Sequence, residues 1–236
     1  MTDFISLLNN ESIDPTREPE ILRAMLDALL YAHVPSSDDS SRLRFLQFIR
    51  PDNGKTVLPI FSDKEKADEA AAGDARVMCM TGRELLSVTL GATLMLDPNQ
   101  RDCVFYPEEI EALLRDGSAG IAIPCRIEEN TQVIASRPRK VPIRMASALR
   151  KIYSKMDAVR SAYLTVVRWE HSRLYPTLFI AVIVDRNERE RVLRATVAAI
   201  QPHITEPGLS IDVAAVDPDE ECSHPFAKGM RIYRRN

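Results

Sequence analysis

The stretch VLPIFSDKEKADEA, Val57 to Ala70, passes without a break from an apolar run into a polar one. The apolar half reads as a strand. The polar half reads as a helix that continues to about Ala72, because Ser62 followed three residues later by Glu65 has the spacing of a capping box. A strand running straight into a helix is the building unit of α/β domains, and such junctions also cradle phosphates or present nucleophiles. This one is read as structural. A helix start that holds its own carboxylate has its N–H donors engaged and a negative charge in place, which opposes an anion. The chain has only 8 glycines and none of the glycine-rich phosphate or nucleophile-elbow patterns. Ser62 is therefore expected to be a cap and not a nucleophile.

The preceding segment Glu18 to His33 shows apolar residues Leu22, Met25, Leu26, Leu29 and Leu30 at helical spacing, with Pro19 in the first turn. His33 continues that stripe and is read as a packed or capping residue. Leu43 to Ile49 reads as a strand, joined across Asn53-Gly54 to the strand at Thr56–Phe61 as a β-hairpin. Beyond Ala72 come a strand at RVMCM, a helix at GRELLSVTL with a second capping box (Thr81 and Glu84), and a strand at ATLMLD. PEEIEALLRDG is a helix opened by Pro107 and closed by Gly117. Residues 1–125 thus read as an α/β domain. Residues 126–142, rich in polar, charged and proline residues, read as a linker in which Gln132 to Ala135 could add a short strand.

Residues 143–236 read as an α+β domain: a helix from Ile143 to Val159, strands at SAYLTVVRW and TLFIAVIVD, a helix at NERERVLRATVAAI, and strands at LSIDVAAVD and GMRIYRR. TLFIAVIVD is apolar on both faces, which predicts a central strand. The expected fold is two mixed α/β domains, each a sheet covered by helices.

The totals bound the function. A hydrophobic share of 45% and a charged share of 28% describe an ordinary globular chain of 236 residues. The longest apolar run, Leu178 to Val184, is 7 residues, against about 20 for a membrane-spanning helix. The N-terminus lacks the basic region of a secretory signal, so the expected location is cytoplasmic. Cys79, Cys103, Cys125 and Cys222 form no Cys-x-x-Cys pair, and Cys222-x-His224 has no second close pair to complete a zinc site. No metal and no cofactor is expected.

Residues 1–125 carry 12 basic and 21 acidic side chains, and residues 126–236 carry 19 and 13. Opposite fields favour docking of the halves or self-association; equally, each half simply carries its own solvated surface. The bases of the second half are diluted by acids and not interleaved with aromatics, which argues against nucleic acid. The acids of DPDEE, Asp217 to Glu221, read as a loop. His171 and His203 have no spaced partners for a triad, although triads assemble in space and not in sequence.

The stretches VLPIFSDKEKAD, MTGRELLSVTL and ATLMLDPNQRDCVFYPEEIEALL together resemble the N-terminal domain of the enhanced serine sensitivity (SseB) family. That family shows a Leu-Pro-Phe strand (here Leu58, Pro59, Phe61), a buried strand ending in Asn-Pro (here Asp97-Pro98) and a proline-started helix. Aspartate keeps the turn chemistry of asparagine. VRSAYLTVVRWE and PTLFIAVIVD are similar to the family's C-terminal domain. The resemblance implies the two-domain fold and supplies no reaction, cofactor or catalytic residue. The expected function is a non-enzymatic module that binds another protein. The alternative is a regulatory protein that binds a small polar metabolite such as an amino acid. An enzyme of unfamiliar type ranks third. The expected ligand or partner contacts are Phe61, Asp97, Pro98 and Asn99.

Overall fold

The computed structural model describes residues 4–8, 17–37, 43–71, 73, 75–98, 100, 103–120, 133–169, 176–204, 210–221, 226 and 229–235. The chain divides into two compact units, Met1–Ile121 and Ala122–Asn236. Both are mixed α/β, each built on one sheet. Among the described residues no helix is long and apolar enough to cross a membrane.

The first unit contains α1 (Phe4–Leu8), α2 (Glu18–Asp27), β1 (Leu29–Pro35), β2 (Phe48–Ile49), β3 (Thr56–Phe61), α3 (Lys64–Ala70), β4 (Ala75–Thr81), α4 (Gly82–Val88), β5 (Leu94–Leu96), β6 (Cys103–Phe105) and α5 (Pro107–Asp116). The strand order is β4-β1-β3-β5-β6, with β2 paired to β3. Only β3 and β5 run parallel; the other pairs are antiparallel. Alternation along each strand separates two faces. Leu30, Ala32, Leu58, Ile60, Leu94 and Leu96 turn into a core closed by α2, α4 and α5. Val57, Met95 and Val104 turn the other way and pack with Tyr106 and Phe48.

Three local rules hold as expected. The hairpin pairs Phe48 with Val57 and Ile49 with Thr56, and Gly54 takes the left-handed conformation (φ 69°) that its turn requires. Thr81 and Glu84 form a full capping box. α5 starts at Pro107 and ends on Gly117 at φ 68°.

Three expectations are corrected and one strand is added. The helix expected to reach His33 stops at Asp27, Ala28 is extended (ψ 156°), and Leu29 to Pro35 is strand β1. Leu26, Leu29 and Leu30 spiral, but Leu30, Ala32 and Val34 alternate. The seven-residue pairing with β4 and the shorter one with β3 decide between the two readings. The strand expected at Leu43–Ile49 shrinks to two residues, with Leu46 N–H donating to the His33 carbonyl instead (2.8 Å). The short strand β6 was not anticipated, since three residues carry no period. The helix expected to reach Val159 ends at Tyr153.

At the junction of β4 and α4 the backbone packing is very close. Gly82 N–H donates to the Ala28 carbonyl (2.8 Å), and a Cβ on Gly82 would lie 1.9 Å from the carbonyl oxygen of Met25. Glycine is the residue that leaves room for α2 there.

The second unit contains β7 (Val133–Ser136), α6 (Ile143–Tyr153), β8 (Val159–Trp169), β9 (Thr177–Val184), α7 (Arg189–Ile200), β10 (Ile211–Val216) and β11 (Met230–Arg234). Its order is β10-β9-β8-β11, with β7 on β8 and only β9 and β10 parallel. α6 and α7 cover one face through Leu149, Tyr153, Val192 and Ala195. The opposite face is closed by Val216 and by Phe226, whose ring stacks on Phe179 at 3.9 Å and 22°. β9 is buried at all 8 positions, as its doubly apolar sequence predicts.

Candidate functional site

The strand-to-helix junction between β3 and α3 holds a buried charged cluster. Asp97, at the end of β5, is 2% exposed and sits at φ 47°, a left-handed conformation that aspartate tolerates better than most residues. Its Oδ1 accepts the Ser62 backbone N–H (2.9 Å), and its Oδ2 accepts both the Ser62 hydroxyl and the Lys66 ammonium (2.8 Å each). The Lys66 ammonium also donates to Ser62 Oγ (2.7 Å) and lies 3.1 Å from Asp63 Oδ2. Burial pushes the Lys66 pKa down, but its hydrogen bonds and charge pairing with Asp97 and Asp63 more than offset this and leave it raised. Burial likewise pushes Asp63 up, and the Lys66 backbone and side-chain bonds outweigh it, so Asp63 is lowered.

This corrects the expected role of Ser62. The cap of α3 is Asp63, whose Oδ1 accepts the Lys66 backbone N–H at 2.9 Å. Ser62 is instead tied to a carboxylate 35 residues away. Its hydroxyl donates to that carboxylate and its oxygen accepts from the Lys66 ammonium, and at 2% exposed Ser62 is enclosed as part of this tie.

Beside this cluster, on the sheet face turned away from α2, α4 and α5, lies an open groove of about 620 Å³. Its floor is His33, Pro59, Phe61 and Met95. One wall comes from the Leu46–Asp52 segment and the other from Ala70 and Ala75, and Pro98 closes one end. Arg50 and Asp52 at the rim pair through two hydrogen bonds (3.0 and 2.7 Å). Another concavity, about 670 Å³, lies among α1, α2 and the start of β1, with Phe4, Arg23, Asp27 and Tyr31 in its walls; it contains none of the expected contact residues.

Of those expected contacts, Phe61 and Pro98 line the groove. Asp97 has both carboxylate oxygens engaged inside the protein and, with Phe61, Lys66, Glu69 and Gln100, lines a separate small pocket of about 30 Å³. Asn99 lies outside the described residues, as do His171, His224, Cys125 and Cys222. His203 is on a short turn after α7 and only partly buried. Among the described residues no group of three or more His, Cys, Asp or Glu is placed to hold a metal ion. Sequence reasoning missed His33, Phe48, Met95 and Lys66. The alternation of Leu30, Ala32 and Val34 was the available signal for His33, because it places His33 on the opposite face of a strand.

Two sheets, the first with α2, α4 and α5 on one face and a groove edged by α3 on the other, define a two-domain α/β protein with an apolar hollow in its N-terminal unit. The chain belongs to the SseB family: the SseB protein N-terminal domain matches residues 7–112 and the SseB protein C-terminal domain matches residues 127–235. It is 23% identical to Protein SseB of Escherichia coli K12 over 197 residues, which is 80% of this chain and 75% of that one. Protein SseB of Shigella flexneri matches with the same figures. No solved structure matches the chain.

Proposed function

We propose that the chain acts in the cytoplasm by binding another protein, seated in the groove of the N-terminal sheet, and that it catalyses no reaction. The observation that supports this reading is the character of the groove. Its floor is apolar and aromatic, its rim charges pair with each other, and the nearest polar cluster consists of satisfied ion pairs. Recognition surfaces have this pattern of apolar centre and polar edge.

The test places a photo-crosslinking residue at Gln47, an exposed wall position, and as control at Arg83, exposed on α4. After irradiation in the host cytosol, a partner enriched at Gln47 over Arg83 is identified, purified and titrated against the chain. Leu46→Asp should weaken that binding about tenfold or more, the scale of one lost interface anchor. Equal capture at both positions, or turnover of a substrate abolished by substitutions in the groove, would overturn the reading.

A further inference from the structure

The groove floor contains one polar ring whose hydrogen-bonding capacity is half used. His33 is 5% exposed, and its Nε2 lies 2.8 Å from the carbonyl oxygen of Ala67 on α3. A carbonyl only accepts, so Nε2 carries the proton, and Nδ1 of the neutral ring is an acceptor. Among the described residues none donates to Nδ1. This ring lines the groove, and an occupant that covers Nδ1 takes its water away, so it must supply a donor in return, because a covered acceptor without one is costly.

The surroundings narrow that occupant. Phe61 lies against the His33 ring, with centroids 4.9 Å apart and planes at 42°. Met95, Pro59 and Pro98 present a thioether and two pyrrolidine rings, groups that pack well on a flat aromatic ring. The rim charges Arg50 and Asp52 pair with each other, so charge complementarity calls for a neutral group. A flat, neutral, apolar group with a single donor and no acceptor describes an indole. The volume of about 620 Å³ exceeds what one indole fills, which leaves space for the chain on either side of it.

We propose that the groove receives a tryptophan side chain of the partner protein, with the indole N–H donating to His33 Nδ1. This rests on the protein-binding reading and specifies it. The probes are N-acetyl-tryptophanamide and its indole-N-methyl analogue, titrated into the full chain with NMR detection. The parent should shift the signals of His33, Phe61 and Met95, and N-methylation should weaken binding about tenfold, the factor carried by one ordinary hydrogen bond. In His33→Phe, shown to be folded by its melting curve, that ratio should fall to about one; the comparison of the two probes needs no variant and stands without it.

Equal affinity for the two probes, or no shift at these residues up to the solubility limit, would overturn the inference. The crosslinked partner separates the two readings. If Gln47 captures a partner whose contacting segment has no tryptophan, or whose Trp→Phe change leaves affinity intact, the tryptophan inference fails and the protein-binding reading stands. If the parent probe binds at His33 yet Gln47 captures nothing beyond the control, the groove takes free indole compounds and both readings fail.

Discussion

Each unit has one pair of parallel strands, β3 with β5 and β9 with β10, and in each the second strand of the pair ends in Asp-Pro: Asp97-Pro98 and Asp217-Pro218. In both, that aspartate reaches back to the chain just after the first strand of the pair. Asp97 takes the Ser62 N–H, the Ser62 hydroxyl and Lys66. Asp217 takes Arg186 Nε (2.7 Å) and Arg189 (3.3 Å). Both aspartate side chains are buried, Asp97 at 0% and Asp217 at 9% exposed, and the settings differ in the cation: Lys66 is 19% exposed and Arg186 76%. Asp217 also uses Oδ1 to hold the Asp219 N–H of its own turn (3.2 Å). One local chemistry thus serves as an internal tie in the first unit and as a surface clasp in the second. The internal tie also seats Pro98 at the groove end.

The two aspartates should differ in how much stability each carries. Asp97→Ala removes the acceptor for three donors, leaves Lys66 short of a partner and places alanine at positive φ. Urea unfolding of the N-terminal unit should show a loss of about 4 kcal/mol, the scale of a broken buried ion pair. Next in size is Phe226→Ala, which strips the ring that closes the second face of the C-terminal sheet. It should cost about 3 kcal/mol and open there a hollow like the one the N-terminal sheet already has, detectable as new binding of a hydrophobic dye.

The pH response should separate the two clasps by direction. Lys66 is raised above 10.5 in the folded chain, so its contribution is complete below 10.5 and fades as pH climbs through the raised value. Asp217 is lowered below 3.8, chiefly by its bond from Arg186, so its contribution is complete above 3.8 and fades as pH falls through the lowered value. The melting temperature of Lys66→Met should meet that of the natural chain in strong alkali, where Asp217→Asn should still differ from it; Asp217→Asn should meet it only in acid. Convergence of both variants in alkali would show that the ties are alike. The smallest effect belongs to Arg186→Ala. Its side chain is largely in water, and the melting temperature should move by no more than about 2 °C.

Much of the architecture was legible because it is carried by short-range chemistry. Asn53-Gly54, the Thr81–Glu84 box, and the Pro107 start and Gly117 end each depend on residues within a turn of one another. The failures share the opposite property. β1 was mistaken for the tail of α2 because Leu26, Leu29 and Leu30 spiral while Leu30, Ala32 and Val34 alternate, and only pairing with β4, some fifty residues downstream, settles the matter. The role of Ser62 was misassigned because the rival acceptor, Asp97, is distant in sequence and close in space. Phe61 and Pro98 were singled out from the turn pattern of a family, and they do line one groove. That His33 lies on its floor follows only once β1 is a strand.

Gly82 has a consequence of another kind. Every missense change at a glycine codon adds at least a Cβ, and here that atom would lie 1.9 Å from the backbone oxygen of Met25. A carbonyl cannot rotate aside as a side chain can, so the whole end of α2 would have to move. The position therefore has no conservative substitution available, and the mutational history of this chain at residue 82 should read as a run of silent changes.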